Sequence, residues 1–265
     1  MQSMDLFRRY SENLKTQSTA FERVSSGKKV QTSKDDPNAM AESQKLKLQI
    51  RGLQMASRNM QDGMSMLQTA DSAMQSIEDS VQRIRELMVQ AGGAASPGDK
   101  DVIQNEVNQM LDHINKVASY TEINGVKLLD GTNNNISIQI GAMARENLDV
   151  PLNDLTAAGL GISNLDAMNT AESLVKLDSA ISTISEYRGK YGAIYNRLES
   201  TCNNSVDMST RIEGSEAELT GTDLALEMIE YTKASILVDS GIAMMTQTNK
   251  FPQDVLRILE NVKSR

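Results

Sequence analysis

The chain of 265 residues has no tryptophan, 3% aromatic residues, four prolines, one cysteine and one histidine. Each shortage excludes something. Few aromatics means few of the bulky fillers of a thick sandwich or barrel core, so thin contacts between helices suit the composition better. Scarce proline together with plentiful Ala, Gln, Glu, Leu and Met lets helices run long and unbroken. A lone Cys202 rules out an internal disulfide. No apolar run reaches the roughly 20 residues of a membrane-spanning helix, so membrane insertion is not expected. The start, MQSMDLFRRYSENL, lacks the continuous apolar core of a Sec-type signal peptide. Taken alone, that reads as cytoplasmic, unless the chain is exported by a route without a cleavable signal. Basic clusters are also missing: the formal net charge is −8 and the pI near 4.9. Nucleic acid is therefore not an expected partner, since binding it needs a cationic patch that displaces counterions.

What is present is helical periodicity. Phe7, Tyr10, Leu14, Gln17, Phe21 and Val24 recur at alternating steps of three and four, predicting a helix over about 3–24 that stops at Ser25-Ser26-Gly27. Asp35-Asp36-Pro37 signals the next helix start. From Asn38 to Gln90 there is no proline, and Leu46, Ile50, Leu53, Met60, Met64, Leu67, Met74, Ile77, Val81, Ile84 and Met88 draw one apolar seam. Ser57 and Asp71 are polar where that seam wants apolar residues. A coiled-coil-like rod of roughly 80 Å follows from 1.5 Å per residue. Residues 91–98 break the rod, and a helix over about 99–118 is expected to fold back antiparallel on it.

Asn124-Gly125 and Asp130-Gly131 read as turns. Ile136, Ile138 and Ile140 alternate with polar residues as a strand, with a partner near 148–152. A third long helix is expected from about Ala171 to Glu213, with a break near Gly214 or Gly221 and helicity onward to Lys250. Pro252 is expected to interrupt it before a last amphipathic helix. The expected fold is mainly α: an elongated antiparallel coiled-coil or helical bundle of long rods with a small β hairpin. Its segments are 1–37, 38–131, 132–168, 169–219 and 220–265. At the end of the chain, Leu224, Met228, Ile229, Ile236, Leu237, Val255, Leu256, Ile258 and Leu259 form a second apolar set. Two terminal helices with apolar stripes suggest a chain whose function is to bind other chains.

Chemistry is hard to find. His113 lacks the companion ligands a zinc site needs. Cys202 falls on the third helix's seam with no base beside it, and reads as a small apolar residue. Asp35 and Asp36 serve as helix-start charges as readily as cation ligands. The methionines at 55, 60, 64, 66, 74 and 88 read as core filling. No phosphate-binding glycine motif occurs. Catalytic, cofactor and metal residues are therefore expected to be none. Two classes remain: a self-assembling structural subunit, and a helical enzyme or metal-binding bundle, the second weakened by the missing constellation.

Several segments carry a resemblance. SSGKKVQTSKDD, QIRGLQMASRNMQDGMSMLQTAD, VQRIRELMVQA, IQNEVNQM and TEINGVKLLDG resemble the N-terminal half of bacterial flagellin. LGISN, YGAIYNRLES, DLALEMIEYTKASIL and FPQDVLRIL resemble its C-terminal half. The likeness covers nearly the whole chain in order, with only about 132–168 between the halves, so the usual outer variable domains look absent. The resemblance implies a subunit that polymerises into the extracellular flagellar filament for motility. Its terminal helices would form an inner coiled-coil tube, with self-assembly through Phe7, Tyr10, Leu14, Phe21, Val24, Ile236, Leu237, Val255, Leu256 and Leu259.

It also implies type III export without a cleaved signal peptide, an export chaperone on about 220–265, and cap and hook-associated proteins as partners. VQRIRELMVQA resembles the segment recognised by Toll-like receptor 5, with Gln82, Arg83, Leu87 and Glu106 as the implied contacts. DDPNAMAESQKL is instead more like hook–filament junction proteins, so a junction or minor filament protein is the alternative.

Overall fold

The computed structural model describes the backbone of residues 2–93 and 96–263, and the side chains of residues 4–93, 96–248 and Lys250. Within them lie five helices and four short strands: α1 (Gln2–Ser26), α2 (Pro37–Gly93), α3 (Pro97–Tyr120), β1 (Glu122–Ile123), β2 (Val126–Lys127), β3 (Asn135–Gln139), β4 (Asn147–Pro151), α4 (Thr170–Thr220) and α5 (Leu224–Lys263). The chain forms two compact units, one of residues 1–48 with 211–265 and one of residues 49–210.

Local signals set the helix ends. Gly27 ends α1 with φ +68°, its N–H donating to the Arg23 carbonyl at 2.8 Å, the left-handed cap that glycine adopts without strain. Asp36 caps α2: its Oδ1 accepts from the Asn38 and Ala39 N–H groups at 2.9 and 3.0 Å, with Pro37 in the first turn. Ser96 caps α3, ahead of Pro97, by accepting from the Gly98 N–H at 3.3 Å. Asp223 caps α5, accepting from the Ala225 N–H at 2.9 Å.

The long helix α4 passes Gly214 and ends at Thr220, so the break expected near Gly214 or Gly221 falls at the second place. Pro252 does not interrupt α5, which runs to Lys263. A proline removes one i→i−4 hydrogen bond, and the rest of a 40-residue helix can carry that loss.

In the unit of residues 49–210, α2, α3 and α4 enclose one hydrophobic core. Met60, Met74, Ile77, Val81, Ile84 and Met88 of α2 are fully buried there with Val107, Ile114, Leu177, Ile184 and Leu198. Arg83 of α2 reaches Glu106 of α3 at 3.3 Å, as expected where α3 folds back antiparallel on α2. Pairings to α4 descend α2 as they climb α4: Arg85 with Asp178, Glu78 and Asp71 with Arg188, Gln68 with Tyr195, Ser57 with Cys202.

The two polar interruptions of the α2 seam therefore meet polar partners. Ser57 Oγ lies 3.3 Å from Cys202 Sγ. Asp71 accepts from Arg188 Nε at 2.9 Å, while Arg188 Nη1 donates to Glu78 at 2.7 Å. Asp71 and Glu78 are two turns apart, so a single guanidinium spans them and opposes any slip of α4 along α2. In compensation, both carboxylates, first Asp71 and then Glu78, hold Arg188 protonated more firmly than an ordinary arginine.

Asn124 and Gly125, at φ 53° and 78°, join β1 to β2 in a two-residue hairpin turn. Those strands are an addition to the expected plan, which had only the turn. β3 pairs with β4 antiparallel, Ser137 opposite Asp149. This hairpin lies against α2 through two glycines eleven positions, or three helical turns, apart. A Cβ on Gly63 would stand 2.5 Å from Ile138 Cδ1, and one on Gly52 would stand 2.8 Å from the Ala142 Cβ. Tyr191 of α4 secures the other side, its hydroxyl donating to the Pro151 carbonyl at 2.9 Å. Burial pushes that phenol up to about 12.

Candidate assembly surface

In the other unit α1 and α5 pair antiparallel. Arg23 meets Glu227 at 3.2 Å, the rings of Phe21 and Tyr231 are 6.0 Å apart, and Tyr10 lies against Gly241. The alternating three-four pattern of α1 resolves into two heptad rows. Tyr10, Gln17 and Val24 are half-buried, with Ala20 fully buried among them. Phe7, Leu14 and Phe21 face solvent, 63%, 46% and 59% exposed. A helical stripe of that width covers more arc than a single partner helix can shield.

The helix α5 divides in the same way. Ala234 and Val238 are buried, Tyr231 and Gly241 half-buried, and Leu226, Ile229, Ile236 and Leu237 lie outward. Ile229 and Ile236 are 67% and 64% exposed. They border a shallow groove with Met228, Thr232, Lys233 and Leu237. The inner contact is made of small residues, which hydrophobic periodicity overlooks. Its readable signal is Ala234 and Gly241 at heptad spacing. Val255, Leu256 and Leu259, expected to share in assembly, lie outside the residues whose side chains are described.

Polar braces close the base of this hairpin. The Lys29 N–H donates to the Thr220 carbonyl at 2.8 Å and the Thr222 N–H to the Gly27 carbonyl at 3.2 Å, so the α1–α2 and α4–α5 turns are stitched together. Glu227, 8% exposed, accepts from Arg23 and from the Thr222 hydroxyl. Burial would raise the Glu216 carboxyl, but the Ser43 hydroxyl, the Lys47 ammonium and the Thr220 hydroxyl overcome it and hold the group below its ordinary range. Asp35 is likewise lowered, by the Thr32 N–H first, then the Thr32 hydroxyl and the Gln31 N–H. It organises the connector, while its neighbour Asp36 caps α2.

The residues implied as receptor contacts do not all share a surface. Gln82 and Arg83 are exposed, Glu106 is half-exposed, and Leu87 is 2% exposed in the core. Leu87 points inward because it falls on the same side of α2 as Ile84 and Met88, so it can support the surface but not present a side chain on it. Arg83 donates to Glu86 at 3.0 Å and to Glu106 at 3.3 Å, and these partners, Glu86 ahead of Glu106, raise its guanidinium above the usual value. His113 is exposed and Cys202 is buried in the core. Among the described residues no group of three or more His, Cys, Asp or Glu could hold a metal ion, and no helix is long and apolar enough to cross a membrane. Of the six methionines read as core filling, Met55 is the exception at 54% exposed.

The family model described as the bacterial flagellin N-terminal helical region matches residues 1–134, and that of the bacterial flagellin C-terminal helical region matches residues 174–259. The chain is 36% identical to the flagellin of Bacillus subtilis (strain 168), covering 97% of both chains. It is 37% identical to the flagellar filament 33 kDa core protein of Treponema phagedenis, covering 90% of each. Among solved structures, the crystal structure of Bacillus cereus flagellin shares 32% identity at a TM-score of 0.51, over 56% of this chain and 88% of that one. A Vibrio parahaemolyticus protein described as a flagellar hook-associated protein matches at a TM-score of 0.59 with 14% identity, over 71% of this chain and 100% of that one, a likeness of fold alone. The two family models and the full-length relatives lead to one conclusion: the chain belongs to the bacterial flagellin family, as a structural subunit of the flagellar filament and not an enzyme.

Proposed function

We propose that the outward rows of α1 and α5 are the surfaces through which copies of this chain join in the filament. The observation that supports this most is the exposure of Phe7, Leu14, Phe21, Ile229 and Ile236 along an otherwise regular helical pair. Contiguous exposed apolar side chains on a soluble surface mark interaction sites. Within one chain the α1–α5 contact buries mainly Ala20, Ala234 and Val238, a small gain against the entropy of ordering two helices. Ordering is completed when neighbouring copies cover the outer rows, as in coupled folding and binding.

Removing residues 251–265 tests this, because it shortens the apolar stripe of α5. Electron microscopy should show no filaments, while circular dichroism still reports the helices of residues 49–210. Filaments of normal length from the truncated chain would exclude the terminal stripe as the assembly element.

Further partners follow from the same reading. An export chaperone would take the outer face of α5, within about 220–265, keeping it from other copies before type III export without a cleaved signal peptide. Cap and hook-associated proteins would meet the same terminal helices at the filament ends. On the monomer, Gln82, Arg83 and Glu106 form a polar surface across α2 and α3 that would engage Toll-like receptor 5, with Leu87 supporting it from the core. In a receptor reporter assay, Arg83→Ala should weaken activation while leaving monomer stability nearly unchanged, as for any exposed ion pair. Unchanged activation removes Arg83 from that surface.

A further inference from the structure

The outer rows differ in a way that selects one pairing between copies. On α1 the heptad row alternates large and small: Phe7, Ser11, Leu14, Ser18, Phe21. On α5 the bulky isoleucines Ile229 and Ile236 stand seven positions apart in the row, with the long Lys233 between them and the small Ser240 beyond. Ser11 and Ser18 are exposed, as are Ser240 and both isoleucines. Around Ser11 and Ser18 the surface is hollowed into a groove that also takes in Leu14, Phe21 and Tyr231. Side chains seven apart on each helix advance by about 10.5 Å, so two knobs on one helix match two hollows on the other.

We propose that in the filament the α5 helix of a second copy lies antiparallel on the α1 row, with Ile236 seated over Ser11 and Ile229 over Ser18. This rests on the assembly reading above and adds its register. Antiparallel direction follows from the pairing of α1 with α5 inside one chain: copies stacked head to tail keep a common polarity, so one copy's α1 meets the next copy's α5 running the opposite way. In this register Phe7 falls opposite Ser240, large against small again. Arg8 falls opposite Asp239, opposite charges on the flank of the apolar row. Among the described residues Arg8 pairs with its neighbour Asp5, and both side chains are well exposed. The contact is heterologous, each copy offering α1 on one side and α5 on the other, and such contacts repeat without limit.

Cysteine cross-linking between full-length chains tests the register. Ser11→Cys and Ile236→Cys chains are mixed, polymerised and oxidised, and so are Ser18→Cys with Ile229→Cys. Buried Cys202 remains as an internal control. Both mixtures should give covalent dimers in sedimented filaments. A mixture of Ser11→Cys with Ile229→Cys chains, one heptad out of register, should give none. Filaments in which the out-of-register pair cross-links instead, or in which no pair does, overturn the register but not the assembly reading. Filaments from Arg8→Asp and Asp239→Arg chains supply the second measurement. Each single exchange should raise the critical concentration several-fold and the double exchange should restore it, and a double exchange no better than either single one overturns the pairing. If the chain without residues 251–265 polymerises as the unaltered chain does, the assembly reading itself fails.

Discussion

Replacing Phe7 by alanine separates an assembly residue from a folding residue. Complete burial of a Phe side chain is worth about 1.5–3 kcal/mol. At 63% exposure in the single chain, roughly 1–2 kcal/mol of that remains to be gained when another copy covers it. Each 1.4 kcal/mol is tenfold in an equilibrium constant, so the critical concentration for polymerisation should rise about tenfold. The monomer should change little, because Phe7 contributes to the outer row and not to the inner contact. Sedimentation of filaments at graded concentrations gives the critical value, and circular dichroism of the monomer gives the control. Tyr10→Ala provides the contrast. Tyr10 is half-buried beside Gly241, so its loss should reduce the thermal stability of the α1–α5 pair itself. A Phe7→Ala chain with an unchanged critical concentration, or one whose monomer loses helix as Tyr10→Ala does, would refute the division into inner and outer rows.

Two other outcomes follow from the unit of residues 49–210. Gly52→Ala gains about 1 kcal/mol of helix propensity, but its new methyl meets Ala142, whose backbone must move. Overpacking of that kind costs about 1–3 kcal/mol, so urea denaturation should show a net loss, and a gain would mean that the β3–β4 hairpin yields freely at that point. The Tyr191 phenol is raised from 10.0 to about 12. Its neutral form is therefore favoured by folding, a stabilisation fully present below pH 10 and lost as the pH climbs through 12. One tyrosine should ionise late in an absorbance titration, together with alkaline unfolding, and Tyr191→Phe should remove that late step. A late step that persists in the variant would assign it elsewhere.

Much of this architecture is legible in the chain itself. The span of α2 follows from the spacing of Leu53, Met60, Leu67, Met74 and Val81. The chain breaks at Gly27 and Pro97 follow from local backbone preferences and caps that need no distant partner, while those preferences alone leave Gly214 and Gly221 both open for the later break. Local energetics dominates in these cases, so local sequence is enough.

Other features depend on which helices meet. Nothing in the steps of three and four tells Tyr10 from Phe7 or Leu14. One row became inner and the other outer only because α5 lies against one arc of α1, offering Ala234 and Gly241 for close approach. Ser57 and Asp71 look like flaws in the α2 seam until Cys202 and Arg188, over a hundred residues away in sequence, are brought opposite them. Leu87 sits in a motif that resembles a contact surface, yet α2 turns it into the core. The assembly face of α1 is thus the part of its stripe that one chain, having a single α5, leaves uncovered.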